Sequence, residues 1–132
     1  MPLILADEFA SRSYELPTDL VRGELQVWSP SGMLKGLICT NVGCSVLQFV
    51  EDHNLGTAAS NHTYILTGTN PDTVRGADLL YISYQKLPRD QITDDILRVA
   101  PEVVIEVENP PDRWLDFFEK IVDFFCDSVF RS

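Results

Sequence analysis

The segment VVIEVENP, residues 103–110, sets two carboxylates, Glu106 and Glu108, among β-branched residues that would otherwise make an ordinary core strand. Strand side chains alternate, so Val104, Glu106 and Glu108 share one face while Val103, Ile105 and Val107 share the other. A charge on a central strand is costly unless it is paired, protonated or bound to a metal. Two groups elsewhere can compensate Glu106: Asp78, at the start of the apolar run Leu79 to Ile82, and Lys120, one helical turn after Asp116. Two carboxylates from adjacent strands can hold a hard divalent cation such as Mg²⁺ and leave positions for water and a phosphate oxygen. A lysine beside that cation can orient or help deprotonate the attacking water and stabilise charge growing on phosphorus. Acid, acid and lysine therefore form a phosphodiesterase set. Spacing alone favours the plainer alternative, a structural salt bridge between Lys120 and Glu106. Arg75 and Arg113 flank the proposed pocket, where they either touch phosphate or pair with Asp72 and Asp112.

The elements that must position these groups read as β, α, β, β, β, α. TDLVRGELQVWSPSG alternates Val21, Gly23, Leu25 and Val27 on one face, with Glu24 on the other, and stops at Ser29-Pro30-Ser31-Gly32. From Ser31 to His53 the apolar residues Leu34, Leu37, Ile38, Val42, Val46, Phe49 and Val50 recur at helical spacing, closed by an Asn and a Gly. A strand or hairpin over 56–68 follows, then a Pro-Asp turn and a strand centred on Leu79 to Ile82, then an irregular polar connection. The strand Pro101 to Glu108 ends at Asn109-Pro110-Pro111. Asp112 is placed to cap a last helix with Trp114, Leu115, Phe118, Ile121, Val122 and Phe125 on one stripe. This order implies an α/β or α+β layer structure, helices on a small mixed sheet, in one domain over 16–132 with a short N-terminal segment, 1–15.

Composition narrows the class. With 132 residues, 45% of them hydrophobic, the chain can bury one real core. The most apolar uncharged stretch, Gly36 to Val50, is short for a bilayer and broken by Thr40, Asn41 and Ser45, so no transmembrane helix is expected. MPLILADEFASR lacks the basic start of a secretory signal, which makes the cytoplasm the expected compartment. Cys39, Cys44 and Cys126 show no zinc or redox spacing and read as buried small hydrophobes. His53 and His62 are isolated and receive no role. Trp114, Phe117, Phe118, Phe124 and Phe125, all on one helix, read as core or dimer contacts. A net charge of −10 argues against a tight, non-specific nucleic-acid binder acting alone. It leaves a metal enzyme open, because clustered carboxylates are compensated when the cation arrives.

Taken in order, Gly23-Glu24, Ser29-Pro30, a long helix, Val74-Arg75 with Asp78, Ala100-Pro101-Glu102 through Glu106-Val107-Glu108-Asn109-Pro110, and Glu119-Lys120 resemble the Uma-two family of bacterial proteins. That family has the restriction-endonuclease-like PD-(D/E)XK nuclease fold. The resemblance implies Asp78 and Glu106 as ligands of Mg²⁺ or Mn²⁺. It also implies Lys120 as the lysine displaced onto the following helix, Glu24 as an additional acid acting through a water, and nucleic acid, DNA above all, as substrate. Two departures stand out. Lys35-Gly36 replaces the family's His-Gly, and the chain ends in FFCDSVFRS where the family continues into further strands. The second implies a frameshifted or truncated C-terminus and an exposed sheet edge that invites homodimerisation. The competing expectation is an inactive relative serving as an interaction module.

Overall fold

The computed structural model describes residues 2–125. Cys126 and the expected C-terminal truncation or frameshift fall outside the described residues. The elements are α1 (Ala6–Ala10), β1 (Thr18–Val21), β2 (Glu24–Val27), α2 (Met33–His53), β3 (Gly56–Gly68), β4 (Thr73–Ser83), a 3₁₀ turn at Arg89–Gln91, β5 (Val103–Ile105) and α3 (Trp114–Phe125). The strand ladders are all antiparallel. The mixed character expected of the sheet reduces to one isolated parallel bridge, Ile65 to Leu97.

β4 is the centre of the sheet. One edge pairs with β3 from Gly56↔Ser83 to Gly68↔Thr73. The other edge is divided: β1 meets it at Leu20↔Val74, and β5 pairs with Leu79, Leu80 and Tyr81. Between Val74 and Leu79 that second edge has no ladder partner among the described residues.

Several expected boundaries shift for local reasons. The single first strand is a hairpin, because Arg22 (φ 48°) and Gly23 (φ 79°) both adopt left-handed backbone and turn the chain in two residues. A side chain at Gly23 would meet Leu3 Cβ at 2.7 Å, so the N-terminal segment packs directly on this turn. That segment is part of the fold: Phe9 of α1 is buried with Leu20, Leu66, Val74 and Ile96, and Asp72 accepts from the Ala6 amide at 2.8 Å. β5 covers three residues of the expected eight, and Glu106 is the first residue beyond it. Asp112 does not cap α3 with its side chain; its carboxylate accepts from the Ser29 amide at 2.8 Å and ties the β2–α2 turn to the α3 approach. A second core joins Ile65, Ala77, Leu80 and Ile82, with Phe124 of α3 packed against it.

α2 forms as its periodicity predicts and ends at Asn54 in the left-handed conformation (φ 48°). It turns its large apolar residues outward, leaving Leu34 65% and Phe49 59% exposed. Its covered side carries Val50, which is buried, and small residues such as Gly43, where a Cβ would meet Leu79 at 3.3 Å. By length and composition α2 is long and apolar enough to cross a membrane, contrary to the sequence expectation, which considered only Gly36 to Val50. The folded helix extends three residues beyond each end of that stretch.

Candidate active site

The gap along β4 organises the site. Amides on this edge would normally donate to a neighbouring strand. Here the Gly76 amide donates to Asp19 Oδ1 at 3.0 Å and the Asp78 amide donates to Glu106 Oε2 at 2.7 Å. The Val107 amide in turn donates to Asp78 Oδ2 at 2.8 Å. Asp78 and Glu106 are thus brought together as expected, each fixed through one oxygen by backbone. The other oxygens meet lysines: Lys120 Nζ stands 2.5 Å from Glu106 Oε1, and Lys35 Nζ stands 3.3 Å from Asp78 Oδ1. All four residues line a cavity of about 560 Å³ between α2, the middle of β3 and the β5–α3 connection. On the α2 side the cavity is lined mainly by small residues, Gly36, Cys39, Thr40, Gly43 and Cys44, with Lys35 and Leu47 beside them.

The electrostatics differ between the acids. Burial pushes the Glu106 carboxyl up to about 7, with Asp78 adding to the effect and Lys120 opposing it. Asp19 is fully buried, which by itself would raise it. The hydrogen bond with His62 and the charges of Lys120, His62 and Arg75 outweigh burial and bring it down to about 2. Its Oδ2 accepts from Trp28 Nε1 at 2.9 Å and lies 3.3 Å from Arg75 and 3.8 Å from Lys120. The Lys120 ammonium also lies 5.1 Å from the centre of the Trp28 ring.

Not every expected site residue arrives. Glu24 is exposed on β2, opposite Val21 beside the hairpin turn, and does not line the cavity. Arg75 is fully buried, bound to Asp123 at 2.7 Å and to Gln26 at 2.6 Å as well as to Asp19, so it braces the site from within and is not part of the cavity lining. Its partners are neither of the acids expected from sequence. Arg113 and Glu108 are exposed and outside the cavity lining. Cys39 is half-buried and Cys44 exposed, against the expectation that both are core residues. Sequence reasoning missed Asp19, Lys35 and His62. Lys35 was visible only as the residue replacing a family histidine. Asp19 and His62 gave no local signal, since each acquires its partners from other elements.

The family model described as "Uma2: Putative restriction endonuclease" matches residues 6–126. The chain belongs to the Uma2 family. The fold is similar to that of "a putative nuclease belonging to DUF820" from Anabaena variabilis ATCC 29413, with a TM-score of 0.79 and 16% identity, over 94% of this chain and 69% of that one. No protein of curated function matches.

The donor set of this Uma2 chain fits a hard divalent cation. Among the described residues no three or more His, Cys, Asp or Glu cluster as a metal cage. Mg²⁺ does not require one, since it keeps several waters and binds through one or two carboxylates plus substrate phosphate. Asp78 and Glu106 are two such carboxylates, held rigidly through their second oxygens.

Proposed function

We propose that the chain is a metal-dependent phosphodiesterase acting on nucleic acid, DNA first, with Mg²⁺ or Mn²⁺ held by Asp78 and Glu106. One observation carries the reading: two backbone-oriented carboxylates with a lysine on each remaining oxygen, in one cavity of nucleotide-compatible size. A net charge of −10 repels a phosphate backbone, so attraction has to be local, and Lys35 and Lys120 supply it. Lys120 is held between Glu106 and Asp19, which fixes its ammonium at the cavity wall. From there it donates to the incoming water or to a non-bridging oxygen and balances the charge that grows on phosphorus. Lys35, on the other carboxylate, binds a second phosphate oxygen. A divalent cation held by Asp78 and Glu106 would supply Lewis-acid stabilisation alongside these contacts.

Titration calorimetry of Mg²⁺ and Mn²⁺ into the chain and its Asp78→Asn variant, with supercoiled-plasmid nicking on the same samples, tests the reading. Binding and nicking that both vanish in the variant are expected. Binding that persists unchanged would remove Asp78 from the site.

A second reading, an interaction module or homodimer, draws on a different observation. Leu34, Phe49, Trp114 at 61% and Leu115 at 53% exposure lie on the outer faces of α2 and α3, large apolar side chains of the type that mark an interaction site where they form one patch. Light scattering at micromolar concentration distinguishes the cases: a dimer mass supports this reading and a monomer mass opposes it.

A further inference from the structure

His62 sits where the chain is bent to put it. Asn61 (φ 68°) and His62 (φ 58°) are consecutive non-glycine residues in left-handed backbone, at the register shift between Ser60 and Thr63 in the β3–β4 ladder. Such backbone is uncommon outside glycine and is retained where surrounding structure enforces it. A bulge of this kind re-aims a side chain. The ring is received by an absence on the neighbouring strand: a Cβ on Gly76 would lie 2.1 Å from His62 Cδ2 and 2.2 Å from Nε2. Tyr64 meets the ring edge-on with centroids 5.3 Å apart. Nε2 lies 2.8 Å from Asp19 Oδ1 and 3.2 Å from the Thr18 carbonyl oxygen.

These contacts fix the ring's direction. The face of the ring lies over Gly76 and its Nε2 is against Asp19, so Nδ1, on the far side of the ring, points away from Asp19. Nδ1 makes no hydrogen bond among the described residues, and His62 lines the same cavity as Asp78, Glu106 and Lys120. A buried carboxylate on one ring nitrogen and an open site on the other is the arrangement that orients an imidazole for proton transfer.

We propose that His62 is the general acid of this site, donating its Nδ1 proton to the oxygen that leaves phosphorus. The inference rests on the phosphodiesterase reading and adds a residue to it. In the step, the water oxygen forms a bond to phosphorus. The opposite P–O bond breaks with its electron pair going to the leaving oxygen, which takes the proton from Nδ1. The proton released by the attacking water passes to solvent, and one from solvent restores the imidazolium, whose charge Asp19 balances.

The test varies the leaving group. His62→Gln keeps a donor for Asp19 and lacks Nδ1; His62→Gly suits the left-handed backbone without strain. Each is assayed with Mn²⁺ on an oligonucleotide with one ordinary scissile linkage and on its 3′-bridging phosphorothiolate counterpart, whose thiolate leaves without a proton. Folding of each variant is checked by urea unfolding. Expected are a loss of about 10²–10⁴-fold on the oxygen substrate, little loss on the sulfur substrate, and recovery of the His62→Gly variant on the oxygen substrate when imidazole is added. Equal losses on both substrates without imidazole rescue, or no loss on either, would overturn the role of His62 alone. A wild-type chain inert toward both substrates would overturn the phosphodiesterase reading and this role with it.

Discussion

Asp19→Asn is the substitution with the most to reveal, because Asp19 links every basic group behind the cavity. Its carboxyl falls from the ordinary 3.8 to about 2 in the folded chain. At roughly 1.4 kcal/mol per unit, this preference for the ionised form contributes about 2 kcal/mol of stability at neutral pH. Asparagine removes that charge and also presents an N–H₂ to one set of donors. The Gly76 amide and His62 meet one oxygen of Asp19 while Trp28, Arg75 and Lys120 face the other. Whichever way the amide turns, one set faces a donor, costing a further 1–3 kcal/mol or so. The total, about 3–5 kcal/mol, matches the usual cost of breaking a buried ion-pair network. Because the folded-state value is depressed, the charge-linked part is fully present above about pH 4 and is lost as pH falls toward 2, roughly half of it by pH 3. Urea unfolding of both chains at pH 7, 5 and 3 reads the difference directly. A gap under about 1 kcal/mol at pH 7, or one that does not narrow at pH 3, would refute the account of Asp19 as the site's buried counter-ion.

Glu106 shows the opposite sign: its raised value of about 7 means that stability falls as pH rises from 4.5 to 7. In EDTA, Glu106→Gln should exceed wild type by about 3 kcal/mol at pH 8, with the advantage gone below pH 4.5, as measured by urea unfolding. Lys35→Gln removes a positive charge 3.3 Å from Asp78 and should tighten Mg²⁺ binding about tenfold, a shift of roughly 1.4 kcal/mol by calorimetry. Weaker binding would mean that Lys35 helps to form the cation site. Gly76→Ala drives a Cβ into the His62 ring. It should cost about 1–3 kcal/mol and release His62 from Asp19, seen as a shift of the imidazole proton resonances.

Much of the fold was legible because burial patterns repeat along the chain. The 21-residue α2, the β3–β4 pair and α3 follow their apolar spacing. What spacing could not say was which face of a helix meets the sheet. On α2 and α3 several large apolar residues, Leu34, Phe49 and Trp114 among them, point outward, while Gly43, Phe117 and Lys120 line the cavity. The β1–β2 hairpin was hidden because Arg22-Gly23 continues the alternation through the turn and lacks the usual Asn-Gly signature. Asp78, Glu106 and Lys120 could be named since two lie in or beside strongly patterned strands and all three match a family motif. Asp19, Lys35 and His62 come from β1, α2 and β3, so nothing short of the folded sheet sets them side by side.

The break in pairing along β4 makes two backbone amides into reporters. The Gly76 and Asp78 N–H groups bond to carboxylates where a strand would otherwise stand. Their ¹⁵N and ¹H frequencies and their exchange with solvent therefore follow the ionisation and occupancy of Asp19 and Glu106, while the amides of Arg75 and Ala77 on the other edge, committed to β3, remain still. A titration of protons, Mg²⁺ or an oligonucleotide can thus be followed from alternate residues of one strand without a dye or turnover.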